Sequence, residues 1–346
     1  MQDAQFGPEN YTEHLSQETW REFECRVSNS EELLSWQQAF RPRLIEALGI
    51  NHIRDRGDCK LNPEMEETVE LEECVRELWT IQSEPGFRIP FYLMRPFDQE
   101  DPLPLIMAPH GHGSGHKPYV GLYETEEDRK KAVEGERDIG FQAVRNGYIA
   151  IVPVLRAYHR MSLHSWGKNS PGRNTCFSQQ MLALMFGRTL IGERCHDISR
   201  ILDFARTRPG IREDRVAITG NSGGGTMSVF APAVEPRIGI AIPSCYFCTF
   251  EASLGSIHHC ACNFVPGIMR LGEMYDVVGL IAPRPFLAVS GEKDDIFPID
   301  AVKTAFEKVK AIYAAAGAED RCKLYIGSEG HRYYKKPVWP FVKNWM

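Results

Sequence analysis

Residues Ala217–Ser228 read "AITGNSGGGTMS". The apolar run Val216–Thr219 stops at Gly220, as a short buried strand does when a turn follows it. The segment beyond Gly224, "GTMSVFAPAV", suits a helix. Between the two stands Ser222, flanked by Gly220, Gly223, Gly224 and Gly225. A chain that passes from strand to helix over so few residues leaves no room for a Cβ atom beside the turn, and glycine removes that atom. The G-x-S-x-G spacing therefore reads as a sharp, strained turn that exposes one hydroxyl. The helix N-terminus beside it favours negative charge.

The rest of the chain sets the frame for that turn. "LPLIMAP", "YIAIVPVL", "IGIAIPS", "PFLAVSG" and "CKLYIGS" are further short apolar runs. Helical segments such as "CHDISRILDFARTRPGI" and "DAVKTAFEKVKAIYAAAGA" separate several of them. Continuous apolar strands alternating with helices predict an α/β domain whose mostly parallel central sheet is covered by helices on both faces. "VRELWTIQS" and "FRIPFYLMRP" read as a strand pair joined at Pro85-Gly86. Residues 1–74 read as a helical N-terminal extension packed on a catalytic domain over 75–346. Leu33, Leu34, Trp36 and Phe40 give it a helical spacing, and Gly49 a stop.

Composition narrows the function classes. The 346 residues carry a formal net charge of −6, with scattered basic residues, which argues against nucleic acid or an anionic membrane as partner. No apolar stretch approaches the ~20 residues that span a bilayer. The start "MQDAQFGPENYTEHLSQETW" lacks the basic and apolar regions of a leader, so a cytoplasmic location is expected. Ten cysteines without signs of export read as reduced thiols. The aromatic end "PVWPFVKNWM" suits packing on the domain or on a second copy in a homo-oligomer.

A nucleophilic serine needs a base, and the base an acid to orient it. "PFLAVSGEKDDIFPID" offers Asp294 and Asp295 just after a strand-ending glycine, with Asp294 the favoured acid. "CKLYIGSEGHRYY" offers His331 after the final strand. The order serine, acid, histidine, each following a later strand, matches the arrangement that accompanies the G-x-S-x-G turn. The N–H of Gly223 is one candidate donor to a developing oxyanion. The loop "HGHGSGHK" after "LPLIMAP" is expected to supply the other from His112, between Gly111 and Gly113. Its glycines do not match a phosphate-binding loop.

No metal or cofactor is expected. His110, His112 and His116 could ligate a metal, as could the patch "PSCYFCTFEASLGSIHHCACN" with Cys245, Cys248, Cys260 and Cys262. Small buried thiols are the simpler reading of that patch, which then shapes a pocket wall with Tyr246 and His259 as substrate contacts. A second wall is expected from residues 156–180, with Arg156, His164 and Trp166 as contacts.

Taken together, "HGHGSGHK", "GRTLIGERCHDISRILDFARTRPGI", "GNSGGG", "LIAPRPFLAVSGEKDDIFP" and "GSEGH" resemble the acetylxylan esterase and dienelactone-hydrolase-like branch of the α/β-hydrolases. The resemblance covers roughly residues 75–346. It implies cofactor-free hydrolysis of short-acyl esters, often acetyl groups on carbohydrates. It carries the nucleophile to Ser222, the acid to Asp294 and the base to His331. Dienelactone hydrolases proper use cysteine where this chain has Ser222. The alternatives are a hydrolase of the same fold with peptidase-like or carbon–carbon specificity, and a non-catalytic binding protein.

Overall fold

The computed structural model describes residues 7–97, 99–113, 115–163 and 175–346. Nine strands among them form one sheet: β1 (Glu64–Glu70), β2 (Val75–Glu84), β3 (Phe87–Arg95), β4 (Leu103–Met107), β5 (Ile149–Pro153), β6 (Ile211–Asn221), β7 (Ile240–Ser244), β8 (Phe286–Gly291) and β9 (Cys322–Gly327). Their spatial order is β1-β2-β3-β5-β4-β6-β7-β8-β9. The first three are antiparallel to their neighbours, and β5 onward are parallel.

The apolar runs are continuous because both faces of the sheet are covered. Alternate residues of a strand point to opposite faces. Leu105, Met107, Ile149, Ile151 and Ile218 enter one core, shared with the helices Leu190–Ala205, Gly223–Val234 and Ile299–Ala315. Ile106, Ala150, Val152 and Ala217 enter the other, shared with the helices Ile139–Arg145 and Lys335–Trp345. The aromatic C-terminus belongs to this second core, with Val338, Trp339, Phe341 and Val342 buried against the sheet.

Residues 1–74 are not helical throughout. The helix Ser30–Ala47 forms as its spacing predicts, capped by the Asn29 side chain, which accepts from the Glu32 N–H at 2.9 Å. Its Leu33, Phe40 and Leu44 lie in the first core, and its Gln37 donates to the carbonyls of Gly279 and Ala282. Residues 64–70, "EMEETVE", are instead β1, paired with β2 across the boundary expected at residue 75. Almost every β1 side chain is exposed, so no apolar alternation marks it as a strand. Its glutamates suit an edge that must not pair further. No helix among the described residues is long and apolar enough to cross a membrane.

Candidate active site

The chain after β6 makes the turn that the glycines foretold. Ser222 has φ 57° and ψ −117°, a backbone conformation that costs about 1–3 kcal/mol for a non-glycine residue. Neighbouring structure holds it there. Its N–H donates to the Ser244 carbonyl at the end of β7 at 2.9 Å, and its carbonyl accepts from Thr226 at 2.9 Å in the following helix. The glycines answer mainly to a third element. A Cβ on either Gly220 or Gly224 would collide with the carbonyl of Pro109, just beyond β4. A Cβ on Gly225 would lie 2.7 Å from the Tyr246 Cβ.

Asp294 and His331 meet where the loops after β8 and β9 are laced together. Glu292 N donates to Gly327 O at 2.8 Å and Lys293 N to Glu329 O at 3.0 Å. Gly291 lets the loops approach, since a Cβ there would meet the carbonyls of Gly330 and Glu329. The Asp294 carboxylate is fully buried. Its Oδ1 accepts from the N–H groups of Ile296 and Phe297 at 3.0 and 3.2 Å, which leaves Oδ2 for His331 Nδ1 at 2.9 Å. A carboxylate only accepts, so Nδ1 carries the proton and Nε2 presents a lone pair. Asp295 points outward and is exposed. The His331 ring lies nearly parallel to Phe297, 5.8 Å between centroids, which fixes its plane.

Ser222 and His331 line one cleft of about 430 Å³, together with Gly111, His112, Tyr119 and Arg137. The loop after β4 presses on the elbow. A Cβ on Gly111 would lie 2.6 Å from Asn221 O and 3.3 Å from Ser222 Cβ, and one on Gly223 would lie 3.2 Å from His112 Nδ1. Gly223 and His112, the residues expected to offer the oxyanion donors, thus both lie beside the serine turn. His110 holds this loop to the segment just beyond β5. Its Nε2 accepts from Leu155 N at 3.1 Å while Nδ1 donates to Gly111 O at 2.9 Å. Burial keeps His110 neutral, and it pushes His116, stacked on Tyr92, down to about 3.

The expected substrate contacts fare differently. Arg156 does not reach the cleft. It is buried, its guanidinium gripping Asp197 through two bonds of 2.7 Å and Glu84 through one of 2.8 Å. A buried arginine of this kind requires carboxylates, and these two lie far from it in sequence. Tyr246 is also core, packed on Phe297 behind the elbow rather than facing the cleft. His259 is half-buried, its ring 5.8 Å from that of Phe297. Trp166 and His164 lie outside the described residues. Sequence reasoning missed Tyr119, Arg137 and Arg332 among the cleft residues. Only Arg332, next to His331, had a signal in its position.

The cysteine patch is divided. The Cys245 thiol faces the Arg332 carbonyl at 3.1 Å, and burial, reinforced by Asp294, pushes it up to about 12. Cys248 Sγ faces the Pro298 carbonyl. Cys260 and Cys262 turn the other way, toward His112 and Cys176.

Comparison with known proteins agrees with this architecture. The Abhydrolase family model matches residues 16–324. A Bacillus subtilis (strain 168) protein named "Putative hydrolase YtaP" is 23% identical over 268 residues, spanning 76% of this chain and 84% of its own length. Among solved structures, a Bacteroides fragilis protein described as a "putative acetyl xylan esterase" superposes with a TM-score of 0.76 at 18% identity, covering 93% of this chain and 83% of its own. A glucuronoyl esterase from Solibacter usitatus superposes with a TM-score of 0.68 at 16% identity, covering 93% and 96%. The chain belongs to the Abhydrolase family: it is a hydrolase built on the α/β-hydrolase fold.

Proposed function

We propose that this hydrolase is a serine esterase acting on short-acyl esters, foremost acetyl esters of carbohydrates, through an acyl-enzyme on Ser222. The observation that carries the reading is the 2.9 Å hydrogen bond from His331 to the buried Asp294 carboxylate, at the cleft that Ser222 enters from its strained turn. His331 Nε2 takes the Ser222 proton as Oγ bonds to the acyl carbon. The oxyanion that develops accepts from the N–H groups of Gly223 and His112. As it collapses, the ester carbon–oxygen bond breaks, and His331 returns the proton to the departing alcohol. Water then repeats the sequence on the acyl-enzyme and frees Ser222. Asp294 holds the imidazole in the required tautomer and stabilises its cation.

The modest cleft supports a short acyl group. The fold neighbours, named as acetyl xylan and glucuronoyl esterases, support a carbohydrate alcohol or acid. Hydrolysis of p-nitrophenyl acetate through octanoate, beside acetylated sugars, tests the reading. Activity should fall with acyl length. Ser222→Ala should lower kcat by on the order of 10⁴–10⁶ while leaving the melting temperature nearly unchanged, since it removes only a hydroxyl. Full activity in Ser222→Ala would remove the serine from the reaction.

A further inference from the structure

Four side chains from three separated stretches converge beside the cleft, and the proposed hydrolysis uses none of them. His112 Nε2 lies 3.4 Å from Cys262 Sγ and 3.9 Å from Cys176 Sγ, and Cys262 Sγ lies 3.4 Å from Cys260 Sγ. All four donor atoms fall within 4.8 Å of one another. A tetrahedral zinc ion stands ~2.3 Å from thiolate sulfur and ~2.0–2.1 Å from imidazole nitrogen, so its ligands are about 3.6–3.8 Å apart. The separations here bracket those edges.

The backbone builds the donor set. Cys260 and Cys262 bracket the start of the short turn Ala261–Asn263, and Cys176 lies in the first turn of the helix Thr175–Met185. That helix is pinned to the turn by Gln180, whose Nε2 donates to Phe264 O at 2.9 Å. A second observation comes from Arg194. It is 2% exposed, and no carboxylate among the described residues pairs with it. Its Nη2 reaches Cys176 Sγ at 3.6 Å, and its Nε has no partner. An uncompensated buried guanidinium is costly. Three thiolates and a neutral imidazole around a divalent ion carry a net single negative charge, which is the counter-charge Arg194 lacks.

We infer that His112, Cys176, Cys260 and Cys262 bind one zinc ion in a closed, structural site that anchors the loop after β4. Binding releases three thiol protons and leaves the imidazole neutral. With four protein ligands the ion has no open position for substrate, so its role is to hold structure. Its placement matters for the site above. The His112 side chain is a ligand while its backbone N–H is the proposed oxyanion donor, and this consequence rests on the esterase reading. Asn263 extends the link. Its Nδ2 approaches Cys262 Sγ at 3.7 Å, and its Oδ1 accepts from Thr226, on the elbow helix, at 2.9 Å.

The test is the metal content of full-length protein purified from zinc-supplemented growth. Wild type and Cys248→Ser should each hold one zinc per chain. Cys262→Ser and the half-buried Cys260→Ala should hold less than half of that and melt at lower temperature. Asn263→Ala should bind zinc ~10–100-fold more weakly. Cobalt added to chelator-treated wild type should give the intense visible bands of tetrahedral thiolate coordination, and these should be absent in Cys262→Ser. Folded wild type that holds no zinc and gives no cobalt spectrum overturns the inference. So does a disulfide among Cys176, Cys260 and Cys262 in the native protein. None of these readouts depends on hydrolysis, so an inactive protein with full zinc would count against the esterase reading alone.

Discussion

Asp294 and Asp295 are adjacent in sequence and opposite in circumstance. Asp294 has its carboxylate out of solvent, with both oxygens bonded, one to two backbone N–H groups and one to His331. Asp295 faces water. The two backbone bonds fix the carboxylate, so the imidazole is oriented by a rigid partner. Replacing Asp294 by Asn keeps the shape but offers an N–H where His331 needs an acceptor, which favours the wrong tautomer. Asp294→Asn should therefore lower kcat by about 10⁴ on p-nitrophenyl acetate. Asp295→Asn should change it by less than about threefold, since surface substitutions rarely exceed ~0.5 kcal/mol. The reverse ranking in steady-state kinetics would move the acid to Asp295.

Among the elements, the turn after β6 and the loop after β4 work as one unit. Gly111 is the point of contact, because a Cβ there would press on Asn221 O and the Ser222 Cβ. Gly111→Ala should leave the sheet intact but displace the His112 N–H from the serine. Loss of one oxyanion donor costs on the order of 10²–10³ in kcat. KM should move little, and a kcat unchanged in this variant would place the second donor elsewhere. The sequence shows these elements unevenly, for physical reasons. Strands β4, β5, β7 and β8, and the Val216–Gly220 half of β6, were legible because burial on both faces makes them apolar almost throughout. Ser222 and Asp294 were legible because each follows such a strand at a glycine, and His331 because it comes just after Gly327 ends the half-solvated β9. Strand β1 was not, because a solvated edge bears no apolar alternation. The grouping of His112 and Cys176 with Cys260 and Cys262 was not, because tertiary contact alone brings those stretches together. Cys245 and Cys248 made a false pattern with them, since chain proximity placed four thiols in one short segment that folds in two directions.

At the scale of the whole molecule, Arg156 shows how the far side of the sheet is held. Its guanidinium joins Glu84 at the end of β2 to Asp197 and Glu193 on the helix Leu190–Ala205, and stacks 4.4 Å over the Phe87 ring at the start of β3. Its carbonyl accepts from Arg194 at 2.8 Å, so the network continues toward the cysteine cluster. Arg188 also binds Glu84, at 3.0 Å. Burial pushes the Glu84 carboxyl up, but Arg156 and Arg188 outweigh it and hold it below the usual carboxylate range. Arg156→Met would strand Asp197 without counter-charge and leave Glu84 only Arg188 and Arg56, at a cost of about 3–5 kcal/mol. The sign of the pH dependence follows from the lowered Glu84. A depressed carboxyl contributes stability that is complete above its unfolded value and lost as pH falls through its folded value. Wild type should therefore lose this contribution on acidification, whereas Arg156→Met lacks the share that Arg156 supplies from the start. The gap between their urea midpoints should be widest near neutral pH and should narrow as the solution becomes acid. The folded fraction of Arg156→Met should keep the wild-type KM, because the side chain stands behind the helix rather than in the cleft. A KM raised several-fold at unchanged stability would return Arg156 to the substrate.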